Sequence, residues 1–391
     1  MAIEQARFGG AACRLCGGSI SRATYRYLEP LPPQFRGDRL KHEHYHLLCA
    51  LQVMPLRLAR DLDAFEGTLP HRATIDRVVE LWRQAIADPD DDGPRIVLAD
   101  LLQSLGDPRG ELMALQLLPA GGEERIDALV YQHQERWIGR HRDIALAVQF
   151  RRGLLGSLEL SDAHHPTQEH DPDLATVEDL LPGSADSTRY RKYAAAMTGL
   201  RRLEVWDEDS LAALAETPSK LVHVACSYKT LGIGDGLAEL GARFLRACAK
   251  HPIRSLALQA SAFETVGKSP LVAGVSSLTL AGKLRDVLPI WTTLPRTTTL
   301  TITQAARLRS LVELWPGDLE LRHTDDGVAA HASGQWLTDG LVGVLPAGVT
   351  SLVAEGATED LKAKLTLAAR SRAIAIEFVA APRRTAIWRH A

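Results

Sequence analysis

Apolar residues recur with two periods along this chain, and the change of period divides it. In "TIDRVVELWRQAIA" the residues Ile75, Val78, Val79, Leu81, Trp82 and Ile86 fall on one helical stripe. "DPDDDGP" then breaks the chain with turn formers. Ile96, Val97, Leu101, Leu102 and Leu105 line a second expected helix, and Gly106 suits the position just past its end. Asp107 followed by Pro108 reads as an N-cap and first helical residue, so a third helix starts at once. A fourth carries Leu129, Trp137 and Ile138.

From about residue 153 the pattern shortens to an apolar residue, a variable one and another apolar one. It recurs in "GSLELSD", "RRLEVWD", "KLVHVAC", "RSLALQA", "SSLTLAG", "TTLTITQ", "GDLELRH", "TSLVAEG" and "IAIEFVA". The first apolar positions are Leu158, Leu203, Val222, Leu256, Leu278, Leu300, Leu319, Leu352 and Ile374. Leu256, Leu278 and Leu300 follow one another every 22 residues, which is similar to a leucine-rich repeat. The expected architecture of residues 153–380 is therefore a solenoid with parallel strands. Leu278 and Leu280 point inward, and segments such as "LAELGARFLRACAKH" form the convex side. Residues 323–336 look like an insertion with a hairpin at Asp326-Gly327. The chain contains no Asn, so the side-chain ladder common after such strands is missing; Ser261 and Thr324 take that offset in two repeats. Cys226 and Cys248 fall on a strand and a helix and read as buried core residues.

The outward strand positions define an expected partner surface: Arg202, Glu204, Trp206, Gln259, Thr279, Thr299, Thr301, Thr303, Glu320 and Arg322. Trp206 is either an exposed anchor or packs beneath the preceding segment.

Candidate chemistry lies upstream. Cys13 and Cys16 in "CRLCGGSI" are matched by His46 and Cys49 in "KHEHYHLLCA". A CxxC pair and an HxxC pair can together hold a tetrahedral zinc ion, and four protein ligands make the site structural. A redox pair or three buried cysteines are the alternatives. His42 and His44 compete with His46, which alone completes the two-residue spacing. "ATYRYL" suits a hairpin strand and "HYHLLCALQVM" the start of a helix, so the segment resembles a treble-clef finger, similar to LIM-like and PARP-like half-sites.

"DPDDDGPRIVLADLLQSLGDPRGELMALQ" resembles the bacterial repeat-companion domain, and the likeness covers about residues 74–160. The resemblance implies neighbouring leucine-rich repeats and no assigned activity. Leu98, Leu101 and Leu112 stand where that family often has Tyr, Trp and Phe. Asp100, Arg109 and Glu111 read as a structural tie between two helices, not an acid–base site. Residues 161–187, with His164, His165 and His170, read as a solvated acidic loop.

Charge is balanced, with a net value of −3, which argues against a dedicated nucleic-acid binder. No basic leader or long apolar run suggests export or membrane insertion, so the cytoplasm is expected. The expected order is a zinc-finger-like module (1–60), a helical domain (70–150), the solenoid (153–380) and a tail (381–391). No P-loop, GxSxG or HExxH motif is present. The expected function is a non-enzymatic protein–protein interaction scaffold with a structural Zn2+. A zinc-dependent nucleic-acid-associated factor is the first alternative, although Arg151 and Arg152 are few for phosphate contacts. A ubiquitin-ligase-like enzyme is the second, although a RING needs two ligand sets.

Overall fold

The structure is a computed structural model that describes residues 2–31, 42–118, 121–162, 171–219, 221–226, 237–282, 287, 290–303, 319–333, 336–380 and 388–389. The fold is mixed α/β, in two compact units: residues 1–178 with 196–199 and 385–391, and residues 179–195 with 200–384.

The first unit opens with five short strands: β1 (Ile3–Gln5), β2 (Ala11–Ala12), β3 (Ser19–Ile20), β4 (Tyr25–Pro30) and β5 (His42–His46). β1, β4 and β5 form one antiparallel sheet, while β2 and β3 form a small hairpin. The "HYH" expected to open a helix is strand, because residues 42–46 pair rung by rung with β4. Helix α1 (Leu47–Val53) begins only after His46 and buries Leu47, Ala50 and Leu51. α2 (Pro55–Asp63) follows, with proline in its first turn, where a missing N–H costs nothing.

Four further helices follow: α3 (Arg72–Ala87), α4 (Gly93–Ser104), α5 (Arg109–Leu117) and α6 (Glu123–Ile138). α3 buries Ile75, Val78, Val79, Leu81 and Trp82, as its stripe implies. On α4 the expected stripe is displaced: Ile96 and Val97 are exposed, and Arg95, Leu98, Ala99 and Leu102 face inward. The cause is Arg95. Its guanidinium donates to the carbonyls of Ala85 (2.7 Å), Asp88 (3.3 Å) and Asp91 (2.8 Å), closing the end of α3.

The tight α4–α5 crossing explains the glycine of "DPRGE". A Cβ on Gly110 would lie 2.5 Å from the Ala99 oxygen and 2.6 Å from the Gln103 nitrogen. Gly110→Ala is expected to destabilise the protein by about 1–3 kcal/mol through overpacking. Urea unfolding that leaves its midpoint unchanged would refute this close approach.

Strands β6 (Ala145–Arg151) and β7 (Leu154–Leu160) form an antiparallel hairpin. Its two turn residues, Arg152 and Gly153, both have positive φ, as a tight hairpin turn requires. Residues 388–389 pair with β6. One apolar cluster contains Cys13, Tyr27, Tyr45 and Leu51 together with Ile75, Trp82, Leu98 and Met113. The core therefore runs without a break from the cysteine-bearing segment into the helices.

Among the described residues the second unit has ten strands laid side by side in chain order: β8 (Asp179–Leu181), β9 (Arg202–Val205), β10 (His223–Cys226), β11 (Ser255–Gln259), β12 (Ser277–Ala281), β13 (Thr299–Thr303), β14 (Leu319–Thr324), β15 (Gly327–Ser333), β16 (Val349–Glu355) and β17 (Ala375–Val379). Neighbours are parallel except on either side of β14, which is antiparallel to both β13 and β15. The "GDLELRH" strand thus runs opposite to its expected direction. The hairpin at Asp326-Gly327 supplies β15, which restores the common direction.

Register makes the interior explicit. Leu203, Val224, Leu256, Leu278, Leu300, Leu321, Ala330, Leu352 and Ile376 form one transverse row. Leu203 through Leu352 in that row are buried. Val222 and Ile374, expected as the first inward residues of their strands, precede them; Val224 and Ile376 hold those places. β8 arises from the stretch expected to be a solvated loop, and Leu180 in it pairs with Leu203. In the first unit, Asp171, Leu174 and Val177 of that stretch are also buried. His164, His165 and His170 lie outside the described residues.

No helix among the described residues is long and apolar enough to cross a membrane.

Candidate metal centre

The two cysteine-containing segments converge. Ligand atoms of Cys13, Cys16, His46 and Cys49 all lie within 4.8 Å of one another, and they are the one such group among the described residues. Cys13 and Cys16 sit on the knuckle between β2 and β3, His46 ends β5, and Cys49 lies in the first turn of α1. The Cys13 N–H donates to the Gly18 carbonyl (2.8 Å), and the Gly17 N–H to the Cys13 carbonyl (2.9 Å). Gly17 has φ +69°, a turn that a side chain would strain. The Gly18 N–H points at the Cys16 sulfur at 3.4 Å. The Arg14 N–H donates to the His44 carbonyl (2.8 Å), tying the knuckle to β5.

The spacings suit a small tetrahedral cation. His46 Nδ1 lies 3.5 Å from Cys16 Sγ and 3.9 Å from Cys49 Sγ. Metal–sulfur bonds near 2.3 Å and metal–nitrogen bonds near 2.0 Å would place N and S about 3.5 Å apart in a tetrahedron. His42 and His44 are outside the group.

The electrostatics point the same way. Burial raises the Cys13 thiol, but backbone N–H groups of Cys16, His46 and Leu15 outweigh it and bring it down to about 7. Cys49 is pushed far up, by burial and then by the charges of Cys13 and Cys16. Three thiolates cannot share this space without a cation, and a divalent ion relieves the repulsion. A cation-holding centre fits these side chains better than a redox pair does.

A second constellation was invisible in the sequence. Arg57 on α2 is held by Glu29 of β4 and by Asp171, with Asp173 Oδ2 at 3.6 Å. Asp173 Oδ1 also accepts the Leu56 N–H at 2.8 Å, and His141 Nε2 lies 3.6 Å from Asp171. All of these side chains are buried. The available signal was "DPDL", which repeats the Asp-Pro start of "DPRG": Asp171 caps a 3₁₀ turn over Pro172–Thr176. The geometry is that of a structural tie, and Glu29, Arg57 and His141 also line a neighbouring cleft.

The helical trio is redistributed. Arg109 binds Asp107, at 2.7 Å, and not Asp100 or Glu111. Glu111 pairs with Arg125 at 2.6 Å. Arg109 also lies over the Trp82 ring, 4.8 Å from its centre.

The expected partner surface is partly covered. Glu204 is buried, and the Tyr190 hydroxyl accepts its backbone N–H (2.8 Å) and donates to the Leu180 carbonyl (3.0 Å). Trp206 packs edge-on against Tyr190, with ring centres 4.5 Å apart, so it belongs to the preceding segment's packing. Thr303 is buried as well. Arg202, Gln259, Thr279, Thr299, Thr301 and Glu320 are half-buried, and Arg322 is exposed. Cys226 and Cys248 are fully buried, in keeping with a core role.

No family model, no curated protein and no solved structure matches this chain.

Proposed function

We propose that this chain is a non-enzymatic binding protein. In this reading a zinc-held N-terminal segment and a repeat-companion-like helical region accompany a leucine-rich-repeat-like solenoid that holds a protein partner. The observation that carries it is the outward row of the second unit. Ala257, Thr279, Thr301, Glu320, His331, Val353 and Glu377 stand in register on the face opposite the aliphatic rows. Unlike Glu204 and Ala225 in the same row, these positions keep access to solvent. Small hydroxyl side chains at one end and charged ones at the other suit an extended polar partner. The contact set centres on Gln259, Thr279, Thr301, Glu320 and Arg322, joined by His331, which lies 3.0 Å from Glu355.

The test is affinity purification from the native host with the wild-type chain and a Thr279→Arg/Thr301→Arg variant. One protein should co-purify stoichiometrically with the wild type and fall about tenfold with the variant, while the melting temperature holds. Equal recovery from both would refute this face as the partner site.

A further inference from the structure

The first unit also contains a cleft of about 640 Å³, within the roughly 300–1,000 Å³ typical of small-ligand sites. Arg14 and Leu15 of the metal knuckle line it, together with residues of β4, β5, the end of α1, and the stretch from Glu135 to Asp143.

Most charges around it are matched. Glu29 holds Arg57, Glu43 holds Arg14 at 3.1 Å, and Glu135 lies 3.6 Å from Arg142. Glu43 also accepts the Tyr45 hydroxyl at 2.9 Å. Arg136 is different. It donates to Gln52, a neutral side chain, and its Nε is buried without an acceptor. The nearby Asp107 carboxylate is taken by Arg109 at 2.7 Å. A guanidinium keeps its charge even when partly desolvated, and its preferred partners are carboxylate and phosphate oxygens. Leu15, Tyr45, Val53, Met54 and Ile138 supply an apolar lining beside it.

We infer that this cleft binds a small amphiphilic anion, a carboxylate or phosphate on a short apolar body, with Arg136 as the anchor. The site is separate from the sheet face proposed above, and it gives the knuckle a second role as part of a ligand wall.

The experiment uses the full-length, metal-loaded chain titrated calorimetrically with hexanoate, hexyl phosphate and, as the neutral control, hexan-1-ol. At least one anion should saturate a single site with Kd at or below about 1 mM. The better of the two identifies the headgroup. Arg136→Gln should weaken it about tenfold or more, and hexan-1-ol should show no saturation. Independently of any variant, raising salt to about 1 M should weaken anion binding to the wild type several-fold. Failure of both anions to bind, equal binding of hexan-1-ol, unchanged affinity in Arg136→Gln, or salt-insensitive binding would each overturn the inference.

Discussion

A Cys49→Ser protein is expected to lose its metal and, with it, stability across the whole first unit. The wild type should carry about one zinc per chain by elemental analysis, and the variant close to none. Zinc binding to small finger peptides is worth roughly 10–16 kcal/mol at neutral pH, and that energy is folding energy. Here the effect should not stay local. Cys13, Tyr45, Leu47 and Leu51 belong to the same apolar cluster as Val78, Trp82 and Leu98. Releasing α1 and the knuckle opens that cluster. For a domain of this size each kcal/mol moves Tm by about 2–4 °C, so a fall on the order of 10 °C or more is expected. A chelator should reproduce the shift in the wild type. Cys226→Ser removes a buried thiol of the other unit and should leave the metal content at one. A wild type that purifies without metal and melts identically with and without chelator would remove the centre from the account.

Local periodicity made some elements legible, and contacts distant in sequence hid others. α3 was readable because its stripe is purely apolar. The buried face of α4 is not legible in its apolar pattern, because Arg95 takes an inward place that polarity alone would give to Ile96, and there it binds three carbonyls on another helix and turn. The strand cores were readable wherever Leu-x-Leu repeats. Their direction was not, since "LELRH" alternates equally well in either sense, and only the turn after it shows that β14 runs backward. Val222 and Val224 share one parity, so alternation could not choose between them. The choice is made by pairing with Leu203 and Leu256. Glu204 has the parity of a surface residue, and nothing local announces that it is buried and that its backbone N–H meets the Tyr190 hydroxyl. The cysteine centre was legible because ligand chemistry imposes spacing within each pair. The Arg57 tie was hidden because its members come from four separate stretches, and ion pairs impose no spacing on sequence.

That tie carries the second large effect. Arg57→Leu should leave Glu29, Asp171 and Asp173 buried without their cation. Breaking a buried pair from one side costs about 3–5 kcal/mol, far more than removing a surface pair. By the same scaling the melting temperature should fall by about 6–20 °C. The loss should depend on pH in a defined direction. Burial, and then the charge of Asp171, push the Asp173 carboxyl up to about 7, while Arg57 and the Leu56 and Arg57 backbone N–H groups hold it down. A raised carboxyl binds its proton more tightly in the folded state. Its favourable contribution is therefore complete below the unfolded value near 4 and fades as pH rises through about 7. Removing Arg57 removes a restraint, so Asp173 should rise further and the variant should recover at pH 5 relative to pH 8 by more than the wild type does. Asp173→Asn keeps an oxygen for the Leu56 N–H and removes the charge. At pH 8 Asp173→Asn should then raise stability by more in the Arg57→Leu background than in the wild type, a non-additivity expected only of groups in contact. Thermal melts of the four proteins at the two pH values measure this directly. Equal losses at both pH values, or simple additivity, would mean that Asp173 is not held by Arg57.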